Sequence, residues 1–110
     1  MPIIFKLIDF GTIGAGGTTD KTWDADRDYT LKKIVAVEKN DYSLSNVTMT
    51  LRIEEFVATL DKVPLSLFQE TPEYVMELNY DFPKGKTITI SLKNDYTASR
   101  DIYIVLILEY

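Results

Sequence analysis

Carboxylates carry the first chemistry to weigh in this chain. Asp24, Asp26 and Asp28 follow Trp23 at alternate positions, and in an extended segment side chains two residues apart point the same way, so three carboxylates can converge on a hard cation such as calcium. A calcium-binding helix–loop–helix is excluded, because its glycine position holds Tyr29 and its bidentate glutamate position holds Val35. A solvated loop at a sheet edge carries the same spacing, and no metal site is expected. Glu54 and Glu55 are the pair that glycoside hydrolysis would need across a cleft. Adjacent strand residues point to opposite faces, and so short a chain has little material left for a cleft, so no catalytic residue is assigned. With neither Cys nor His present, zinc fingers, thiol nucleophiles, His-based triads, haem ligation and disulfides are excluded together.

Gly11, Gly14, Gly16 and Gly17 are four of the five glycines. A dinucleotide loop needs a third glycine where Thr19 stands and a helix N-terminus to follow; neither is present, so the segment is expected to be a turn between two strands, with no cofactor. The sequon Asn46, Val47, Thr48 matters only in a secretory compartment. Lys6 and Asp9 interrupt the N-terminal apolar run before it reaches signal-peptide length, and the apolar run Ile102 to Leu108 is too short to span a bilayer. A net charge of −5 opposes binding to phosphate backbones or anionic lipid, so neither nucleic acid nor membrane is an expected partner. Trp23, with Tyr29 and also Tyr42 or Tyr96, is the candidate aromatic platform for a glycan; the competing role for Trp23 is to close one end of a core.

The elements that must position these residues are strands. Ile, Val and Thr are abundant and Ala is scarce among the 110 residues, a balance that suits a pleated surface. Met49, Leu51 and Ile53 alternate with Thr48, Thr50 and Arg52; Ile88, Ile90 and Leu92 alternate with Thr87, Thr89 and Ser91; Met76 and Leu78 belong to an alternating run from Tyr74 to Phe82. These apolar positions, with Ile104 and Leu106, are the expected core. Pro83, Lys84 and Gly85 predict a hairpin between the last two of those strands. The apolar parity flips after Ile53, which predicts a bulge at Glu54 and Glu55. Further strands are expected over Ile3 to Phe10, Thr18 to Trp23, Tyr29 to Glu38 and Asp101 to Tyr110, with a helical turn allowed only within Val63 to Glu70. The chain therefore predicts a single domain over 1–110, all-β: a two-sheet antiparallel sandwich of seven or eight strands, jelly-roll-like, with an immunoglobulin-like sandwich as runner-up.

The terminal strands break the polar-outside rule. Ile102, Ile104, Leu106 and Leu108 occupy one face of the last strand and Tyr103, Val105 and Ile107 the other; the first strand is likewise apolar on both sides. Large apolar side chains left in water forgo about 1.5–3 kcal/mol each, so the outer face is expected to be covered, by Val63 to Glu70 or by another subunit. The expected subunit interface is Tyr103, Val105 and Ile107 together with Ile4 and Ile8.

In layout the chain resembles the small single-jelly-roll virion proteins of phages and archaeal viruses that form capsid decorations, vertices or fibre heads. The residues that carry the resemblance are Lys21-Thr22-Trp23 leading to Tyr29-Thr30-Leu31, Val63-Pro64-Leu65, Phe82-Pro83-Lys84-Gly85 and the strand ending at Tyr110. The resemblance implies a non-enzymatic virion protein that forms a trimer or pentamer with itself, meets other virion proteins and grips a host glycan; no active-site residue carries over. The alternative is a carbohydrate-binding module using Trp23 and nearby tyrosines.

Overall fold

A computed structural model describes residues 2–54, 56–57, 63–69 and 77–110. Its strands are β1 (Ile3–Ile13), β2 (Thr18–Asp24), β3 (Tyr29–Glu38), β4 (Val47–Ile53), β5 (Phe56–Val57), β6 (Val63–Pro64), β7 (Tyr80–Phe82), β8 (Thr87–Asn94) and β9 (Arg100–Glu109), with a 3₁₀ turn at Leu65–Phe68. They form two antiparallel sheets, ordered β1-β9-β3-β7 and β2-β8-β4-β5, and β6 also pairs with β4. Since β5 and β6 both lie against β4, each sheet has four strand positions.

The pairings are nested. Ile8 lies opposite Ile104, Lys21 opposite Ile90, Leu31 opposite Tyr80 and Met49 opposite Val63. The chain is one long antiparallel hairpin wound about a core, its successive strand pairs falling alternately in the two sheets, which is the jelly-roll arrangement. The winding explains why the expected hairpin at Pro83 to Gly85 is absent as a hairpin. The turn forms, with Lys86 N–H donating to the Pro83 carbonyl and Gly85 at φ +86. It carries the chain across the core, however, because β7 pairs with β3 and β8 with β2 and β4. Its backbone instead bonds the parallel crossing at Ala25, which exchanges hydrogen bonds with Gly85 and Lys86.

Two other expectations change. The parity flip after Ile53 marks a chain reversal in place of a bulge: β5 folds back on β4, pairing Ile53 with Phe56. Glu54 takes the left-handed conformation (φ 52) that two-residue hairpin turns require. Glu54 holds that conformation by exchange with Thr87, whose carbonyl accepts from Glu54 N–H at 2.8 Å and whose N–H donates to the Glu54 carboxylate at 2.8 Å. Within the strand expected over Tyr74 to Phe82, the described residues 77–79 are outside any strand and β7 begins at Tyr80, since Asn79 is left-handed (φ 56) and interrupts the ladder; Asn tolerates that region through its short polar side chain. Tyr74 to Met76 lie outside the described residues. The helical turn is found where it was allowed, and its Leu65 and Phe68 enter the core.

Of the expected core, Met49, Leu51, Ile53, Ile88, Ile90, Leu92, Ile104 and Leu106 are buried, and Leu78 is half-buried against them. Ile4 and Ile8 belong with this core and not with a surface contact. Directly paired residues share a face, and Ile4 lies opposite Leu108 and Ile8 opposite Ile104, both buried. Ile8 is buried in the core and Ile4 is packed against it. Hydropathy alone could not choose between two apolar faces; the pairing with β9 does. Beyond Asp9 the phase changes at a bulge, where Gly11 sits at φ +64 and donates its N–H to the Asp9 carboxylate at 2.8 Å. Phe10 and Ile13 both face inward as a result.

Candidate functional site

The two sandwich faces differ in chemistry. Across β2, β8 and β4 the outward rows are Thr18, Lys93, Thr48; Asp20, Ser91, Thr50; and Thr22, Thr89, Arg52. That face is hydroxyl and charge throughout, as a solvated sheet face should be. Across β1, β9 and β3 the outward rows are Phe5, Ile107, Lys33; Leu7, Val105, Val35; and Asp9, Tyr103, Val37, with Ile3 opposite Glu109 at the end. Ile3, Phe5 and Leu7 are 54%, 70% and 55% exposed on the edge strand β1. Tyr103, Val105, Val35 and Val37 are half-buried behind them. Ile107 is buried at the floor of a cleft of about 420 Å³ lined by Ile3, Phe5, Lys32, Lys33 and Glu77.

Ion pairs stand at both ends of this face, and one further charge, Lys33, lies beside Ile107. Lys32 reaches Glu77 at 2.8 Å at one end, and the shared bond holds the Glu77 carboxyl below and the Lys32 amine above their ordinary pKa. At the other end Lys39 meets Asp9 at 3.4 Å. Tyr103, Val105 and Ile107 thus occupy one surface, as expected; Leu7 pairs with Val105 and Phe5 with Ile107, and these two, with Ile3 at the end of β1, are apolar neighbours that the interface set omitted. The missing signal was strand pairing, because β1 is equally apolar on both sides.

Trp23 and Tyr29 do come together, with ring centroids 5.6 Å apart, and Phe82 lies equally close to Trp23. The cluster is a core edge and not an open platform: Tyr29 is 6% exposed, Trp23 is packed against the core, and Lys6 lies over the indole at 5.4 Å. Tyr42 and Tyr96 sit elsewhere, stacked on the Arg100 guanidinium at 4.9 and 4.0 Å. Arg100 and the buried polar residues Glu38 and Asn94 were not legible as special in the sequence.

Burial would raise the Tyr96 phenol, but hydroxyl contacts with Ser43 and Ser45, the Asn46 N–H and the Arg100 charge outweigh it and bring its pKa down to about 8. Because the folded value lies below the unfolded one, near 10, ionisation of Tyr96 adds stability that is complete above about pH 10 and is lost as pH falls through about 8. The expected result is a phenolate absorbance step near pH 8 that is absent from Tyr96→Phe. An unchanged titration in that variant would assign the step elsewhere.

The carboxylates disperse. Asp24 accepts from the Thr87 hydroxyl, Asp26 from the Tyr29 hydroxyl and Asp28 from Lys84 N–H; the Tyr29 bond draws the Asp26 carboxyl below its ordinary pKa. Glu54 is engaged by Thr87, and Glu55 lies outside the described residues. Among the described residues no group of three potential metal ligands converges. Of the glycine segment expected to be a turn, Gly11 to Ile13 instead continue β1 in register with β9, and Gly14 to Gly17 form the turn into β2 and bond to Asn94. Asn46 is exposed in the turn before β4.

No family model matches the chain, and no curated protein does. Among solved structures, the Drosophila NLP core, whose crystal structure was described for its insight into pentamer formation and histone binding, aligns over 96% of this chain and 98% of its own with a TM-score of 0.45 and 13% identity.

Proposed function

We propose that this chain is a non-enzymatic assembly module that forms a homo-oligomer through the outer face of the β1-β9-β3-β7 sheet, with the surface of a virion as its setting. The observation that carries the reading is the contrast between the two outer faces, one hydroxyl-rich and charged, the other mainly apolar with three large side chains more than half exposed. The virion setting is supported by the resemblance in layout together with the jelly-roll winding. Asp24, Asp26, Asp28 and Glu54, the carboxylates singled out for chemistry, each hold a strand or turn in place. Glycan binding at Trp23 and Tyr29 would have to use rings already committed to the core edge. Among the described residues no helix is long and apolar enough to cross a membrane.

Light scattering tests the reading. Phe5→Asp should weaken self-association by roughly 100-fold or more, about 3 kcal/mol, because it places an unpaired carboxylate in an apolar contact. The substituted chain should keep its fold, since Phe5 is 70% exposed within one copy. Val105→Asp should dissociate the assembly too, with some loss of stability, because Val105 is half-buried. An unaltered mass for both variants would remove this face from the assembly.

A further inference from the structure

We infer that the contact through this face is isologous: two copies pack sheet against sheet about a two-fold axis, each covering the Ile3, Phe5 and Leu7 of the other. The inference rests on the assembly reading above and assigns its symmetry. A cyclic trimer or pentamer needs two different, complementary patches on every copy, whereas a two-fold contact uses one patch twice. Among the described residues, the large apolar side chains exposed away from this face are Tyr42, Leu67 and Tyr110. They stand singly: Tyr42 in the loop before β4, stacked on Arg100; Leu67 on the 3₁₀ turn; and Tyr110 at the end of the chain, stacked on Arg27. The opposite sheet offers threonines and charges. Among the described residues, the surface that matches this apolar face is therefore the same face on another copy.

The face also has the relief that self-pairing needs. Phe5 and Leu7 stand up along the β1 edge, and beside them the cleft of about 420 Å³ opens over Ile107, so each copy supplies both a ridge and a hollow. Ile3, Phe5 and Leu7 leave roughly 100 Å² each, and with the half-buried residues behind them the face offers roughly 500 Å² per copy. Two copies would then bury about 1,000 Å², which reaches the lower bound for a specific interface. Charge lies at both ends of the patch and at Lys33 beside Ile107, while the middle row, where Val105 sits between Leu7 and Val35, is wholly apolar.

The absence of Cys from the chain makes the symmetry testable. Leu7→Cys, Val105→Cys and Val35→Cys, made one at a time, cross the middle row in steps of about 5 Å. A two-fold axis through the middle of the face brings one of these positions against its own counterpart, so a short bis-maleimide linker should join that variant to itself; a heterologous contact sets each cysteine against a different residue and gives no link. Thr89→Cys, on the opposite face, is the control. The expected result is a solution mass of two chains, with a covalent dimer from at least one middle-row variant and none from Thr89→Cys. An assembly larger than two, or one in which no middle-row variant links, overturns the two-fold contact and leaves the assembly reading standing. A wild-type chain that stays monomeric at about 100 μM overturns both and assigns the face to a different protein.

Discussion

Truncating Ile90 to Ala is expected to lower the free energy of unfolding by about 2–5 kcal/mol, against a total of about 5–15 kcal/mol for a domain of this size. Ile90 is fully buried at the middle of β8, between Lys21 on β2 and Leu51 on β4, at the centre of its sheet. Removing its outer carbons loses their transfer energy and leaves a cavity, because central strands held by ladders on both sides have little freedom to close over it. Thr89→Ala is the control, one residue away on the outward face, and it should shift stability by no more than about 0.5 kcal/mol. Urea titration of both variants checks the pair. Equal and small shifts would show that β8 is in the wrong phase, and the core assignment would fall with it.

The second large effect is expected at Asn94, the end of β8. Its side chain is buried and fully engaged: Nδ2 donates to the carbonyls of Ile13 at 3.0 Å and Ala98 at 2.9 Å, and Oδ1 accepts from Tyr96 N–H at 2.9 Å. The backbone of Asn94 bonds Gly16 and Gly17 as well, so one residue ties the β1–β2 turn to the β8–β9 turn. Asn94→Ala removes the side-chain partner of two carbonyls and an N–H and should cost about 2–4 kcal/mol. Asn94→Asp separates hydrogen bonding from size. A carboxylate there would face two carbonyl oxygens, so its folded pKa should rise; the variant should be most stable at low pH and lose stability as pH climbs above about 4, the unfolded value. Chemical denaturation across pH reads this out, and a pH-independent loss would show that the Asn94 amide does not donate as described.

Much of the architecture was legible because alternation reports a local property, the side of a strand that meets water. Met49, Leu51 and Ile53 on β4, and Ile88, Ile90 and Leu92 on β8, needed no knowledge of their neighbours to be placed inside. The limits of β3 and the turn at Leu65–Phe68 were legible for the same reason, each being set by residues close together in the chain. Where the rule lacked contrast it failed. β1 is apolar on both faces, so Ile4 and Ile8 could be assigned to the surface until their pairing with Leu108 and Ile104 set them inside and turned Phe5 and Leu7 outward. A parity flip at Glu54 has two solutions, a bulge or a reversal, and the apolar pattern is the same for both.

Sequence by itself determined that this chain makes antiparallel sheets about an apolar core, that its chemistry excludes Cys- and His-dependent sites, and that the terminal strands carry more apolar surface than one sheet face can hide. Tertiary structure decided which strands pair, that Pro83 to Gly85 crosses between sheets, and that Asp24, Asp26 and Asp28 diverge to separate partners. It also decided which apolar residues of β1 reach the surface. The division follows from the range of the forces involved: burial preference is written residue by residue, whereas pairing and convergence depend on contacts between residues as distant in sequence as Phe5 and Ile107.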